Sequence, residues 1–205
     1  MVRRYVCALG VSLGVGAAAL VLSQSGASAH VFPCDFLTGG GFIVTTGSGT
    51  HEPAKANFGI GGGCKHGSPT WGHLQYIDHG TGLNVHWTAI TAYLMEGDGE
   101  GQTRTDPKTG QPLGTRLVCG TARTNHYGPV DFMVRATDNG EPGRDDEFDL
   151  RLSQEGIVIY TTENEPGTPH KLGEGDGGGG NIQLHKPNPS TTGDFGGPCL
   201  AREAR

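Results

Sequence analysis

The sequence predicts an all-β fold, an antiparallel β-sandwich or jelly-roll of about nine strands stapled by disulfides. Three observations predict it. Thirty-seven glycines and twelve prolines interrupt the 205-residue chain, which leaves no long stretch with the 3.6-residue apolar period of a helix. Short runs between them alternate apolar and polar side chains, as strands with one buried face do. Most of the cysteines follow a leader with the layout of a secretory signal.

The N-terminal residues have the order of a signal peptide. Arg3 and Arg4 precede an apolar run over residues 5–22, and the small-residue triplet 27–29 follows. The apolar run is shorter than the roughly 20 residues of a membrane-spanning helix. We therefore expect cleavage before His30 and a secreted, extracellular chain without membrane insertion after signal cleavage.

The rest of the chain is predicted to form one all-β domain over residues 30–186, followed by a C-terminal tail over residues 187–205. The whole chain carries 15 basic and 21 acidic side chains, a formal charge of −6. Loss of Arg3 and Arg4 makes the remainder more acidic still. Binding to a nucleic acid needs a dense basic stripe. The charge therefore excludes a nucleic-acid partner.

The cysteines predict two disulfides. Cys7 lies in the leader, and Cys34, Cys64, Cys119 and Cys199 remain, an even number in an oxidising compartment. No two of them form the close pair that structural zinc sites use. Spacing leaves all three pairings open. We expect Cys34 to join Cys199, tying the ends of the domain, and Cys64 to join Cys119 between two strands.

The strands follow from period-two alternation between turn residues. They are predicted at residues 41–46, 54–60, 70–78, 83–95, 115–124, 132–137, 148–153, 157–162 and 181–186. Strands without intervening helices favour antiparallel pairing in a sandwich or jelly-roll. Two segments rich in glycine, proline and acidic residues, 96–112 and 163–180, are predicted to be long surface loops.

Several short strings resemble the bacterial secreted post-COAP domain family. They are TGGGFI at 38–43, ANFGI at 56–60, WGHLQYIDH at 71–79, DNGEPG at 138–143 and GNIQLH at 180–185. The resemblance implies an all-β extracellular module of the kind that stands beside repeat or adhesion-like domains. It implies no particular reaction or ligand.

An acidic loop between two predicted strands is a candidate calcium site. Its oxygen-bearing side chains include Asp138, Asn139, Asp145 and Asp146, and hard cations favour such clusters. The spacing does not match an EF-hand loop. The alternative is a solvated hairpin connection, in which Asn-Gly and Pro-Gly pairs supply the turn.

The hairpin over residues 71–88 is a candidate binding face. If Tyr76 pairs with Leu83 and Leu74 with Val85, these four side chains face the core. The opposite side then presents His73 directly beside His86, surrounded by polar side chains. The complete predicted binding face is His73, Gln75, Asn84, His86 and Thr88. Paired imidazoles hold transition metals, and a polar face also suits a sugar or a peptide.

Cleavage before His30 would leave an N-terminal histidine, whose amine and imidazole together chelate copper when a second histidine approaches. The metal candidates are therefore His30 with His73 or His86 for copper, and the acidic loop for calcium. Residues 30–205 contain no G-x-S-x-G or H-E-x-x-H string, and we identify no catalytic residue. The leading hypothesis is a non-catalytic extracellular module without a cofactor that binds a polymer, a peptide or a protein. The alternatives are a copper-dependent secreted protein and a calcium-stabilised domain.

Overall fold

The computed structural model describes residues 33–47, 52–96, 104–163, 168–173 and 177–205. In these ranges the chain forms nine strands and one short helix. They are β1 Phe36–Thr45, β2 Ala54–Gly63, β3 Trp71–Asp78, β4 Asn84–Glu96, β5 Gly114–Thr124, β6 Gly128–Asp138, β7 Glu147–Gln154, β8 Ile157–Thr161, β9 Gly179–His185 and α1 Leu200–Glu203.

All nine strands belong to one sheet in the order β8-β7-β6-β5-β4-β3-β2-β1-β9. Every neighbouring pair is antiparallel. Strands β1 to β8 follow chain order through hairpins, and β9 returns to lie beside β1. The predicted antiparallel, disulfide-stapled all-β fold of about nine strands is confirmed. Within the described residues, no helix is long and apolar enough to cross a membrane.

The sheet folds over itself around one main core. The ring of Phe58 in β2 stacks on that of Phe148 in β7, with 3.8 Å between centroids. Tyr76 in β3 and Tyr160 in β8 share a buried hydroxyl hydrogen bond of 2.6 Å. Strands on opposite sides of the sheet order therefore face each other, and alternate side chains of each strand fill the space between them.

The disulfides join Cys34 to Cys64 and Cys119 to Cys199, with Cα–Cα distances of 5.6 and 5.3 Å. The predicted pairing of Cys34 with Cys199 and of Cys64 with Cys119 is therefore wrong. The register of β1 and β2 places Phe36 opposite Gly63, which brings Cys64 beside Cys34. The spacing of the cysteines in the sequence does not predict the register between β1 and β2, and therefore does not predict the pairing.

The segment predicted as a tail, residues 187–205, lies against the sheet. The side chain of Phe195 stacks on Tyr93 at 5.4 Å, and the backbone of Gly196 exchanges two hydrogen bonds with that of Tyr93. Helix α1 follows, and its Ala201 is buried. A second, smaller core beneath α1 contains Ala92, Leu117, Cys119, Met133, Cys199 and Ala201. The part of this segment from Cys199 therefore covers the outer side of β4, β5 and β6, whereas Phe195 packs against the main core.

Strand β1 begins five residues before its predicted start at residue 41, because glycines that resemble turn residues lie inside it. A side chain at Gly41 would lie 2.1 Å from the carbonyl oxygen of Gly179. Close approach of β9 to β1 thus requires glycine in an extended strand. The described part of the predicted loop 163–180 is not an exposed loop either. His170 and Leu172 are buried there, and both form backbone hydrogen bonds with the start of β7.

Candidate binding face

The turn between β3 and β4 sets the positions of the predicted histidines. Asp78 accepts hydrogen bonds from the backbone N–H groups of Gly80 and Thr81, and from the Thr81 hydroxyl. Its own N–H donates to the carbonyl of Leu83, so the connection is four residues long. Asx turns of this type hold a short hairpin loop in one conformation.

Because of this four-residue connection, the register between β3 and β4 differs by two residues from the predicted register. Tyr76 pairs with Val85, and Gln75 pairs with His86. The prediction that His73 and His86 lie directly opposite each other is therefore wrong. A shift of two residues keeps every side chain on its own side of the sheet. Leu74 and Val85 are accordingly buried, as predicted.

The predicted face residues lie on the outer side of β3 and β4. His73, Asn84, His86 and Thr88 are exposed, and Gln75 is half-buried. The Gln75 amide donates to the Asn84 side-chain oxygen at 2.8 Å, and the Thr88 hydroxyl contacts that of Thr121 at 2.7 Å. The structure thus brings Gln75, Asn84 and His86 together and leaves His73 opposite Gly61 of β2.

The acidic loop holds β9 in place. Asp138 accepts the backbone N–H of Leu184 at 2.7 Å, and Asp146 accepts that of Ile182 at 2.7 Å. The second oxygen of each carboxylate accepts an N–H group within the loop, from Gly140 and Asn139 respectively. The two carboxylates therefore accept hydrogen bonds from backbone N–H groups of β9 that a neighbouring strand would otherwise accept. The buried donors are thereby satisfied.

Burial raises the pKa of Asp138, and it raises that of Asp146 to about 6. Of the other calcium candidates, Asp145 is exposed, and the Asn139 amide donates to its backbone carbonyl at 2.6 Å. Among the described residues no three His, Cys, Asp or Glu side chains converge as metal ligands. His30, the copper candidate, lies outside the described residues.

A second surface adjoins the predicted one, and the sequence did not identify it as a site. We call the outer side of β9, β1, β2 and β3 the open face, because a Cβ at Gly59 in its centre would meet no other atom within 4 Å. The acidic loop reaches the β9 edge of this face, where the Asn181 amide donates to the Glu141 carboxylate at 3.2 Å. The outward-facing positions of the open face are His185, Gln183, Asn181 and Gly179 of β9, Phe36, Thr38, Gly40, Phe42 and Val44 of β1, Lys55, Asn57, Gly59, Gly61 and Gly63 of β2, and Trp71, His73, Gln75 and Ile77 of β3.

One end of the open face is an aromatic cluster. The ring of Phe36 stacks on that of His185 at 4.7 Å and meets the edge of Trp71 at 5.7 Å. The ammonium of Lys65 lies 4.7 Å from the Phe36 ring and 4.9 Å from the Trp71 ring. His185 also shares a hydrogen bond of 2.8 Å with the Thr38 hydroxyl. Burial, followed by the charge of Lys65, lowers the pKa of His185, so neutral imidazole is the favoured form.

The centre of the open face has no side chains. Gly40 of β1 and Gly59 of β2 are paired across the strands. Gly61, the next outward position of β2, lies beneath the rings of His73 and Trp71, whose atoms come within 3.4 Å of where its Cβ would be. The result is a shallow depression floored by backbone and bordered by aromatic, imidazole and amide groups.

Two other polar clusters of the described residues are internal. His170 hydrogen-bonds Asp149 at 2.9 Å with exposures of 2% and 3%, so a substrate in solution does not reach this pair. Arg116 is 1% exposed and forms an ion pair with Asp35, which also accepts the hydroxyl of Tyr93 at 2.8 Å. A cavity of about 230 Å³ lies beside them, but the guanidinium charge is already neutralised by Asp35.

Comparison with known proteins adds no functional assignment. No family model matches the chain, and no curated protein or solved structure matches it. Function must therefore follow from the chemistry of the surfaces described above.

Proposed function

We propose that this chain is a secreted, non-catalytic module that binds an extracellular polymer, peptide or protein through the open face. The observation that carries the proposal is the open face itself. It combines the half-buried rings of Trp71 and Phe42, outward amides and imidazoles, and a glycine floor in which a Cβ at Gly59 would meet no other atom within 4 Å. Accessible aromatic groups with a few polar groups around them are the usual composition of a binding surface.

Two features support an extracellular location. Both disulfides close within the domain, and such bonds persist in oxidising compartments. The leader supplies an export signal of the expected order. A non-catalytic role agrees with the position of the His170–Asp149 pair, because burial keeps it away from any ligand on the surface.

We also propose membership of the post-COAP family. The strings that carry the resemblance coincide with the open face: four of them lie in β1, β2, β3 and β9. The fifth, DNGEPG, begins at Asp138, whose carboxylate holds β9 in place. The resemblance therefore concentrates on the strands that form the proposed surface and on the loop that supports it.

The test is a sedimentation assay of the secreted chain with washed bacterial cell-wall preparations. We expect the wild type to sediment with the walls, and Trp71→Ala with His73→Ala to reduce the bound fraction at least tenfold. Tyr127→Ala, which removes another exposed aromatic side chain (38% exposed) in the β5–β6 turn, is the matched control and keeps wild-type binding. Equal loss in both variants, or unchanged binding in the double variant, contradicts the use of the open face.

A further inference from the structure

We infer that the open face takes a neutral, hydroxyl-rich polysaccharide chain. This inference rests on the proposed function, because it names the ligand class of the same surface. Four observations carry it: the Gly40–Gly59 pair, the aromatic rings on either side of that pair, the kind of polar groups between the rings, and the absence of carboxylates from the outward positions.

Neither backbone conformation nor packing explains the Gly40–Gly59 pair. Both residues lie outside the left-handed region that favours glycine. A Cβ at Gly59 would meet nothing within 4 Å, and at Gly40 only the carbonyl of Phe58 at 3.5 Å, an ordinary contact. By contrast, a Cβ at Gly62 would lie 2.6 Å from Val118. Glycine weakens a strand, and in a strand interior it marks a bulge, a tight bend, or close approach of a ligand or another backbone. The pairing of β1 with β2 runs without a register shift, so a bulge does not explain this pair.

Aromatic rings border this pair along the strands. Trp71 leans over Gly61, two residues from Gly59 along β2. On the other side, the ring of Phe42 lies over Gly179 of β9 and beneath the Lys55 ammonium at 3.8 Å. The C–H faces of a sugar ring pack against aromatic rings and bare backbone, where there is no side chain to hold the ring away.

The polar groups between the rings suit hydroxyls. Gln183, Gln75 and Asn57 present amides, and His73 presents an exposed imidazole. Amides both donate and accept hydrogen bonds, as hydroxyls do, and the ring nitrogens of an imidazole also form hydrogen bonds. An extended peptide binds a sheet through unpaired backbone groups at an edge. On this face those backbone groups are already used in pairing with β9, β2 and β3, so a peptide lacks its usual partners.

The charge of the face favours a neutral chain. The outward strand positions of the open face, all of them in the described strands, carry no acidic side chain. A carboxylate meets the face at its β9 edge, where Glu141 accepts the amide of Asn181 and is thereby already hydrogen-bonded. The two cations of the face, Lys55 and Lys65, lie over the rings of Phe42, Phe36 and Trp71. A polyanion would meet only these two cations on a protein of net charge −6, which disfavours its approach.

The test measures binding of the full secreted chain to insoluble cellulose, chitin and mannan, with polygalacturonate as the charged polymer. We expect retention on at least one neutral polysaccharide, little change in retention with salt, and at least a tenfold weaker affinity for Gly59→Thr. That substitution places a side chain in open space, so its unfolding midpoint should remain close to that of the wild type. Tyr127→Ala is again the control.

Each outcome separates the inference from the proposed function. Binding to cell walls through the open face without retention on any neutral polysaccharide overturns the ligand class and leaves the proposed function standing. Retention on polygalacturonate alone, or wild-type affinity in a folded Gly59→Thr, also overturns the ligand class. Absence of binding to walls and to every polymer overturns both.

Discussion

The two outer faces of the sheet differ in what covers them. The outer side of β4, β5 and β6 lies beneath the C-terminal segment, with Cys199 and Ala201 packed over Ala92, Leu117 and Met133. The outer side of β9, β1, β2 and β3 has no such cover from the described residues. One chain therefore uses two parts of the same sheet in different ways.

The difference appears in the side chains that each strand turns outward. Beneath α1 the outward positions are apolar and buried, and they form a second core. On the open face most of them are glycine, amide, imidazole and aromatic residues, and rings stack on each other at one end. Burial by the chain's own segment selects apolar residues because they gain from leaving water. A surface that meets a ligand keeps polar groups and space.

We expect the largest loss of stability when the C-terminal segment is released from the outer side of β4, β5 and β6. Replacing both Cys119 and Cys199 with serine opens a link between residues 80 apart in sequence, and we expect the free energy of unfolding to fall by about 2–4 kcal/mol. Hydrogen exchange should rise most in α1 and the outer side of β5. The matched control replaces Cys34 and Cys64, 30 residues apart; it should leave exchange in α1 unchanged. Uniform loss of protection in both variants would show that the cover is not a separate unit.

An intermediate effect compares two glycines of β2 that face opposite sides. Gly62→Ala forces a methyl group against Val118 in the core, and we expect a loss of about 1–3 kcal/mol by urea unfolding. Gly59→Ala adds the same group to open space on the outer side, where the expected change is within about 0.5 kcal/mol. Equal losses would mean that Gly59 is required by the fold, and the depression would then have no separate explanation.

The smallest effect concerns the loop that holds β9 at the edge of the open face. Burial raises the pKa of Asp146 to about 6, so between that value and the unfolded pKa the folded state binds more protons. This group therefore adds stability as pH falls from 7 to 5, by about 1 kcal/mol, and the added stability is lost as pH rises through 6.

Asp146→Asn removes this titration while keeping the side-chain shape. The difference in unfolding free energy between wild type and variant, measured at pH 7 and at pH 5, isolates Asp146 from Asp138 and His185, whose pKa values are also shifted. A difference that is the same at both pH values would show that Asp146 titrates normally. It would then contribute no pH dependence to the edge of the open face.

The sequence predicted the strands well because turn residues and alternation are local signals. Its predicted β3 and β4 differ from the observed strands by one residue at their ends. Features that depend on pairing between distant segments were harder to predict from the sequence. The start of β1 was missed because Gly39, Gly40 and Gly41 resemble a turn, whereas the close backbone of β9 accommodates two of them within the strand.

The candidate site was only partly predictable for the same reason. His73 and Gln75 were identified from alternation on β3, but Phe36 and His185 are 149 residues apart and meet only because β9 pairs with β1. The three glycines at 39–41 were the available signal in the sequence. Its meaning depends on which glycines pack against neighbours and which do not, and this difference is visible only when the strands are placed.

By itself, the sequence determined that the chain forms short antiparallel strands and which side chains of each strand face inward, because a strand has a period of two and that period is a local property. The tertiary structure decided which strands are neighbours, which cysteines are joined, and which outer face is covered. Those outcomes depend on hydrogen bonds between distant segments, such as those that the Asp146 and Asp138 carboxylates accept from the backbone of β9. Contacts of this kind leave no periodic pattern in the residues that make them.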